Sequence, residues 1–305
     1  KAKKKTVCNN LDSTELMYKK LNYTTLLLAF TLISFGQSKS KLFSLNHGNL
    51  EREYFVYVPE NIDENKSVPL LLAFHGFGGT AYMFMNNSGF NEIAEKENFI
   101  VVYPQGSLLN GKGHWNVGGW TRNSTADDVG FIKLLIEEVR KSYNIDTSKL
   151  YAAGMSNGGY MSIQLACEMG DVFAAVASVT GSMTPEMHQK CTTSDQVPIL
   201  QLHGTSDGVV PYGGGQGWTL AIDDVIAFWV DKNNAISKPK VKKPPDLDTT
   251  DNSTVERYSY RNDSKNIMVM HYKVINGGHD WFGNRGNKDI RASEVIWDFF
   301  SKVKD

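Results

Sequence analysis

This sequence of 305 residues has little net charge, few cysteines and little that resembles a metal-binding pattern. Its 32 Lys and Arg nearly balance its 33 Asp and Glu, for a formal net charge of −1. With no nucleic-acid-binding motif, this balance gives no reason to expect DNA, RNA or an anionic membrane as a partner. The histidines lack metalloprotease spacing, and the glycine-rich stretch 213–217 follows a proline turn, unlike a dinucleotide-binding loop. We therefore expect neither a metal nor a cofactor.

The apolar run at 26–33 is too short to span a bilayer as a lasting anchor. It follows a pair of lysines and precedes small residues, which is the arrangement of a signal peptide. A buried helix is the alternative, but the run lacks the polar spacing of an amphipathic helix. We interpret 1–16 as upstream sequence, 17–36 as the signal peptide and 37–305 as a single exported domain. The expected mature form is a monomer without a membrane anchor.

Cysteine is limited to three residues. Cys8 falls in the predicted upstream sequence, which leaves Cys167 and Cys191 in the exported domain. Two cysteines in an exported chain favour one disulfide, here between a predicted helix and the loop before a later strand. Two buried free thiols remain the alternative, because the sequence does not fix the pairing geometry.

Apolar strand-like segments alternate with amphipathic helical segments along the chain, which predicts a mostly parallel sheet with helices on both faces. The predicted strands cover 54–58, 69–74, 99–103, 149–153, 174–179, 197–202 and 267–275. One predicted helix can be capped by Asp127 and has its apolar positions between 132 and 143. The other predicted helices cover 160–168, 219–232 and 290–303. The segment 233–251, rich in Lys, Pro and Asp, is interpreted as a solvated insertion. Its acids Asp246, Asp248 and Asp251 lack the glycine and glutamate of a calcium loop, which favours a solvated acidic turn over a metal site.

The sequence G-M-S-N-G at 154–158 lies between one of these strands and the helix that follows it. This context is typical of a nucleophile elbow, the sharp turn that exposes a serine in an α/β-hydrolase. In that fold an acid and a histidine follow the serine, each on the loop after a later strand. We predict Ser156 as the nucleophile, Asp207 as the acid and His279 as the base.

The oxyanion hole is predicted from two backbone N–H groups. One belongs to Asn157, directly after the nucleophile, and the other to Phe77, in the glycine-rich turn after an early apolar strand. Each triad residue alone has an ordinary alternative: Ser156 as a helix cap, Asp207 as a turn residue and His279 as a loop histidine. Their order and their placement at strand ends together favour the catalytic interpretation.

Five motifs together resemble the polyhydroxybutyrate depolymerase / feruloyl esterase group of secreted bacterial α/β-hydrolases, over about residue 50 to the C-terminus. They are H-G-F-G-G at 75–79, D-D-V-G-F at 127–131, G-M-S-N-G-G at 154–159, H-G-T-S-D at 203–207 and G-G-H-D-W at 277–281. The resemblance implies an α/β-hydrolase fold and a serine ester hydrolase acting on polymeric or polymer-attached esters. One departure is Phe282, which stands where the family often has proline.

Two further features concern the substrate. Only 181–196 lies in the interval where many α/β-hydrolases carry a helical cap, so we expect an open cleft without a lid domain. Aromatic residues on loops at the predicted catalytic edge indicate a platform for an apolar or aromatic acyl group. The predicted platform residues are Trp115, Trp120, Tyr212, Trp218 and Trp281.

These features predict an exported, cofactor-free serine esterase that acts on feruloyl or acetyl groups of plant cell-wall polysaccharide. The first alternative is a polyester depolymerase, with polyhydroxybutyrate or an aromatic polyester as substrate. An alternative of another class is an inactive hydrolase fold that binds carbohydrate or surfaces.

Overall fold

A ten-stranded sheet forms the centre of the computed structural model, which describes residues 39–63 and 65–303. The predicted upstream sequence, 1–16, and the predicted signal peptide, 17–36, lie outside the described residues. The strands are β1 (Ser40–His47), β2 (Leu50–Tyr57), β3 (Val68–Phe74), β4 (Ile100–Pro104), β5 (Ser107–Leu109), β6 (Lys112–His114), β7 (Ile145–Met155), β8 (Ala175–Val179), β9 (Ile199–Gly204), β10 (Lys240–Lys242), β11 (Thr254–Arg261) and β12 (Ile267–Ile275).

The strand order in the large sheet is β1-β2-β4-β3-β7-β8-β9-β12-β11-β10, and β5 and β6 pair separately as a short hairpin. The strands from β4 to β12 in this order are parallel to one another, and the flanking pairs are antiparallel. The carboxyl ends of β3, β7, β9 and β12 therefore share one edge of the sheet. In open α/β sheets this edge is where ligands bind.

The helices of the described residues cover the sheet on both faces. They are α1 (Ala81–Asn87), α2 (Phe90–Glu97), α3 (Asp128–Ser142), α4 (Asn157–Glu168), α5 (Pro185–Lys190), α6 (Ile222–Lys232) and α7 (Ala292–Lys302), with a short 3-10 turn at Gly119–Thr121. In α3, the side chain of Asp127 accepts a hydrogen bond from the N–H of Gly130 and so caps the first turn.

The continuous apolar sequence of β3 explains its central position. Side chains alternate between the two faces of a strand, so Leu70 and Leu72 pack in one core cluster and Leu71 packs in the other. All three are fully buried. A strand covered by helices on both sides needs such an uninterrupted apolar run.

The predicted strands do not include the antiparallel strands β1 and β11, which lie near the two ends of the sheet. Strand β1 is mostly exposed and β11 is half-exposed, so neither has the apolar run that marks the central strands. The segment 233–251 is not wholly a solvated insertion, because it contributes the edge strand β10. Within it, the carboxylate of Asp248 pairs with Lys288 at 2.7 Å. No cluster of acids, histidines and cysteines suited to a metal occurs in 39–63 or 65–303.

The interval between β8 and β9 holds only one short helix, α5, which confirms that no lid domain is inserted there. The predicted disulfide is also confirmed: Cys167 in α4 is bonded to Cys191 at the end of α5. It ties the segment that leads into β9 to the helix that follows Ser156. Across the described part of the chain, no helix is both long enough and apolar enough to cross a lipid bilayer.

Candidate active site

Ser156 occupies a strained turn between β7 and α4. Its backbone has φ 55° and ψ −120°, a left-handed conformation that a residue with a side chain rarely adopts. Such a conformation costs about 1–3 kcal/mol and persists only where the surrounding structure imposes it. Here the N–H of Ser156 donates to the carbonyl of Val179 on the neighbouring strand, at 2.8 Å. The turn has the backbone geometry that a nucleophile elbow requires.

Close packing of the elbow explains two of its glycines. A Cβ atom on Gly158 would lie 2.2 Å from the carbonyl oxygen of Phe74, and one on Gly154 would lie 2.4 Å from the backbone of Gly158. Backbone atoms cannot move aside as the end of a flexible side chain can. The glycines therefore let the start of α4 touch the ends of β3 and β7, which sets the position of Ser156.

Asp207 and His279 meet at the same edge, on the loops after β9 and β12. His279 Nδ1 lies 2.8 Å from Asp207 Oδ2, and Asp207 Oδ1 accepts the N–H groups of Val209 and Val210, both at 2.8 Å. The side chain of Asp207 is fully buried, and that of His279 is 18% exposed. Because the carboxylate accepts, His279 carries its proton on Nδ1 and presents Nε2 as an acceptor.

The electrostatics of this pair favour an ionised acid. Burial raises the pKa of the Asp207 carboxyl, but the hydrogen bond and charge of His279 and the N–H groups of Val210 and Val209 outweigh it. The net result is a pKa below the ordinary aspartate value. Asp207 can therefore hold the His279 ring in one tautomer and stabilise its protonated form.

A second histidine supports the acid loop, and sequence reasoning assigned it no role. His203 Nε2 lies 2.8 Å from the carbonyl of Val210, which can only accept, so this nitrogen carries the proton. His203 Nδ1 then accepts from the amide of Gln201 at 3.1 Å. Burial lowers the pKa of His203 to about 4, which keeps the ring neutral. The neutral ring holds Val210, one of the residues whose N–H binds Asp207.

The loop after β3 lies directly beside Ser156. A Cβ atom on Gly76 would stand 3.4 Å from Ser156 Cβ and 4.0 Å from its Oγ. The carbonyl of Gly76 accepts from His75 Nδ1 at 2.8 Å and from the N–H of Gly79 at 3.0 Å. In a trans peptide the next N–H points opposite to the carbonyl. The N–H of Phe77 therefore points away from the His75 ring.

The N-terminus of α4 directly follows Ser156. Asn157 is the first residue of the helix, where backbone N–H groups have no partner within the helix. Its buried side chain accepts from the N–H of Trp115 at 2.7 Å and donates to the Trp115 carbonyl at 3.0 Å. This double hydrogen bond, which sequence reasoning missed, fixes the loop after β6 against the elbow.

Two predicted platform residues are in the core, so this part of the prediction is wrong. Trp115 is fully buried, and its indole N–H donates to the carbonyl of His75 at 2.9 Å. Trp281 is 7% exposed, and its indole N–H donates to the carbonyl of Ser88 at 2.9 Å. Trp115 thereby stabilises the loop after β3, and Trp281 anchors the loop that carries His279 to the core. Phe282, at the position where the family often has proline, is also buried, at 1% exposure.

The other platform residues are partly buried and lie in different surroundings. Trp120 meets the ring of Phe77 edge-on, with centroids 5.7 Å apart, and Phe77 is 40% exposed. Trp218 contacts Gly215 within its own turn. The hydroxyl of Tyr212 lies 2.6 Å from Asp223 and 2.9 Å from His271. Of these three partly buried residues, Trp120 is the one whose ring the structure places against Phe77, in the loop beside Ser156.

The strand order, the elbow after β7 and the loops that carry Asp207 and His279 define an α/β-hydrolase, as predicted. The solved acetyl xylan esterase from Aspergillus awamori shares this fold, with a TM-score of 0.62 at 17% identity over 86% of this chain and 99% of that one. The family model described as "Putative esterase" matches residues 46–283. The chain therefore belongs to this esterase family, which places it among the carboxylic ester hydrolases.

Individual relatives refine this assignment. "Probable feruloyl esterase C" of Aspergillus flavus is 30% identical over 251 residues, which cover 82% of this chain and 84% of that protein. The bifunctional acetylxylan esterase/xylanase of Neocallimastix patriciarum is 28% identical over 251 residues, 82% of this chain. That alignment covers only 33% of the bifunctional protein, so the chain spans about a third of its length. The predicted resemblance to feruloyl esterases is confirmed, and the resemblance to polyhydroxybutyrate depolymerases stays a prediction.

Proposed function

We propose that this protein is an exported serine esterase that removes feruloyl or acetyl groups from plant cell-wall polysaccharide. The observation that carries the proposal is the 2.8 Å contact between His279 Nδ1 and the buried carboxylate of Asp207, on the sheet edge that also bears Ser156. The strained elbow supplies the exposed hydroxyl that such a pair activates.

In the proposed reaction, Ser156 Oγ attacks the acyl carbon of the ester while His279 Nε2 takes its proton. The carbonyl oxygen becomes an oxyanion, which accepts hydrogen bonds from the N–H groups of Phe77 and Asn157. His279 then gives the proton to the departing alcohol, which leaves the acyl group on Ser156. Water hydrolyses this acyl-enzyme by the same two proton transfers in reverse, releasing the acid and restoring the serine.

The proposed substrate class is supported by the relatives and by the shape of the site. The relatives described above are a feruloyl esterase and an acetylxylan esterase. The feruloyl group and the acetyl group are both small acyl units, and xylan is a polysaccharide. With only α5 between β8 and β9, no lid domain stands over this edge in the described residues, which suits a chain-like substrate. A polyester is the second candidate, because an open edge also accepts that polymer.

Export is part of the proposal. The disulfide between Cys167 and Cys191 is typical of proteins that fold in an oxidising compartment. The predicted signal peptide at 17–36 agrees with this location. Expression of the full chain with its N-terminal segment, followed by mass spectrometry of the secreted product, tests both points. Retention of residues 17–36 in the mature protein would contradict the signal peptide.

The activity is tested by acid release from methyl ferulate, acetylated xylan and polyhydroxybutyrate film, with Ser156→Ala as the control. Release of ferulate or acetate by the wild type alone supports the proposal. Release of hydroxybutyrate alone moves the protein to the polyester alternative. Failure on all three substrates, together with no labelling by a fluorophosphonate at neutral pH, would favour the inactive binding protein.

A further inference from the structure

A groove of about 760 Å³ is lined in part by Gly78 and Gly79, the glycines that follow Phe77. Its walls are the start of β2, the β5–β6 hairpin and the segment 123–126 that leads into α3. The N–H of Gly78 donates to the carbonyl of Gly113 at 2.7 Å, which joins the loop beside Ser156 to the hairpin wall. The groove therefore lies next to the loop after β3, which is the loop beside Ser156.

The topology of the sheet places this groove on the same edge as Ser156. Strands β3 and β4 run parallel to β7, so their carboxyl ends lie on the edge where the elbow lies. Strand β2 is antiparallel to β4, with Tyr54 opposite Pro104, so the first residues of β2 reach that edge as well. A polymer bound at Ser156 can therefore extend along the groove without leaving this edge.

The groove is lined by exposed polar side chains that are available to bind a ligand. Within the described residues, the side chains of Glu53, Asn123 and Thr125 line the groove, are exposed and make no hydrogen bond to the protein. Leu108 adds an apolar contact surface and is 73% exposed. A carboxylate, an amide and a hydroxyl beside an apolar side chain complement the hydroxyl groups and the C–H faces of a sugar.

The charges of the groove argue against an anionic ligand. Arg52, which lies under the groove, is 3% exposed and already paired with Asp128 at 2.7 Å. The remaining charged lining groups are Glu51, Glu53 and Lys112, so carboxylates outnumber available cations. A chain of neutral sugars meets no repulsion there, whereas a polyanion would.

We propose that this groove binds the uncharged polysaccharide chain that carries the ester, while the acyl group lies at Ser156. The proposal rests on the proposed function, because it assigns the sugar side of that substrate. The groove residues contact the part of the substrate that does not react. They therefore contribute to binding of sugar-linked esters and leave the hydrolysis of esters without sugar unchanged.

The test compares two substrates on two pairs of matched variants. Glu53→Gln and Asn123→Ala change the groove. Glu97→Gln and Asn266→Ala change exposed residues just before β4 and β12, on the opposite edge of the sheet. For a feruloylated xylo-oligosaccharide, each groove variant is expected to raise KM about three- to tenfold, the effect of losing one exposed hydrogen bond. For methyl ferulate, all four variants stay within about twofold of the wild type.

A binding measurement separates this proposal from the proposed function. Unesterified xylohexaose is titrated into Ser156→Ala and into the double variant with Asn123→Ala, by calorimetry or NMR. Binding that the groove substitution weakens supports the sugar site, even if no ester is hydrolysed. Equal KM changes on both ester substrates, or no binding of xylohexaose to Ser156→Ala, would overturn it. A groove substitution that slows only the hydrolysis of polyester film would overturn it as well.

Discussion

His75 donates a hydrogen bond from Nδ1 to the carbonyl oxygen of Gly76 at 2.8 Å, and thereby orients the peptide that carries the N–H of Phe77. The ring is held from its other side, because Nε2 accepts the N–H of Gly106 at 3.0 Å. Burial lowers the pKa of His75 to about 4, so the ring stays neutral and keeps this one tautomer. His75 is therefore a positioning residue for the proposed oxyanion donor, and it need not touch the substrate.

Substitution of His75 is expected to affect turnover more than substrate binding. His75→Leu removes the donor to Gly76, so we expect kcat to fall about ten- to a hundredfold, less than the loss of an oxyanion donor itself. KM should change by less than about threefold. His75→Asn places an amide N–H near the position of Nδ1 and should recover part of the loss. Steady-state kinetics with methyl ferulate, with thermal unfolding of each variant, make the comparison. Equal kcat values for the two variants would contradict the positioning role.

Ser156→Ala tests the proposed nucleophile. We expect turnover to fall by at least about three orders of magnitude, because no covalent acyl-enzyme can form. The fold should persist, since the backbone hydrogen bond from residue 156 to Val179 does not involve the side chain. Loss of fluorophosphonate labelling with an unchanged circular dichroism spectrum is the expected readout. A fully active variant would remove Ser156 from the mechanism.

The sequence predicts the centre of the fold better than its edges, for physical reasons. Buried parallel strands need continuous apolar runs, and the elbow needs glycines at fixed places, so both leave local signals. The strands β1 and β11, near the two ends of the sheet, are stabilised by antiparallel partners and carry mixed polar sequences, so they leave no such signal. The burial of Trp281 depends on a contact with Ser88, 193 positions away in the chain, which no local pattern reveals. The same holds for the hydrogen bonds between Trp115 and Asn157.

The disulfide between Cys167 and Cys191 should contribute to stability without contributing to catalysis. It closes a loop across a sequence separation of 24 residues, for which the restriction of the unfolded chain is worth about 3 kcal/mol. Replacing both cysteines by serine is expected to lower the melting temperature by about 5–10 °C. kcat on methyl ferulate at 25 °C should stay within about twofold. Calorimetry of the oxidised wild type, the reduced wild type and the double variant provides the test, and an unchanged melting temperature would refute it.

Buried histidines should make the protein unstable in mild acid. Burial lowers the pKa of His75, His203 and His271 to about 4, whereas an unfolded histidine titrates near 6.5. Between these values the unfolded chain binds more protons than the folded one. The free energy of unfolding therefore falls as pH decreases from about 6.5 to about 4, by up to about 1.4 kcal/mol per pH unit for each histidine.

Urea unfolding at intervals between pH 4.5 and 7 measures this dependence. His271→Gln is expected to reduce the slope by about one proton, and His188→Gln, at an exposed histidine, is the matched control. Asp207 acts in the same direction, because its pKa is lowered in the folded state and its stabilising contribution is lost in acid. A stability that is flat from pH 6.5 to 4.5 would contradict the neutral, buried state of these rings.

Trp120 and Trp115 should respond to substitution in different ways, although both were predicted to form the platform. Trp120 stands edge-on to the exposed ring of Phe77, next to the proposed oxyanion loop, so an aromatic acyl group can pack against this pair. Trp120→Ala is expected to raise KM for methyl ferulate about three- to tenfold and to change KM for phenyl acetate, with its smaller acyl group, by less than twofold. Trp120→Phe should keep most of the affinity.

Trp115→Phe is the matched comparison, because it replaces a fully buried indole, whose N–H donates a hydrogen bond to the carbonyl of His75, with a smaller ring. We expect it to lower the melting temperature by several degrees and to change the kinetics of both esters to the same extent, since it leaves the carbonyl of His75 without its donor. The two substitutions therefore separate contact with the acyl group from support of the loop. Equal effects of Trp120→Ala on ferulate and acetate esters would show that Trp120, like Trp115, belongs to the framework of the site, and would leave the acyl specificity to Phe77.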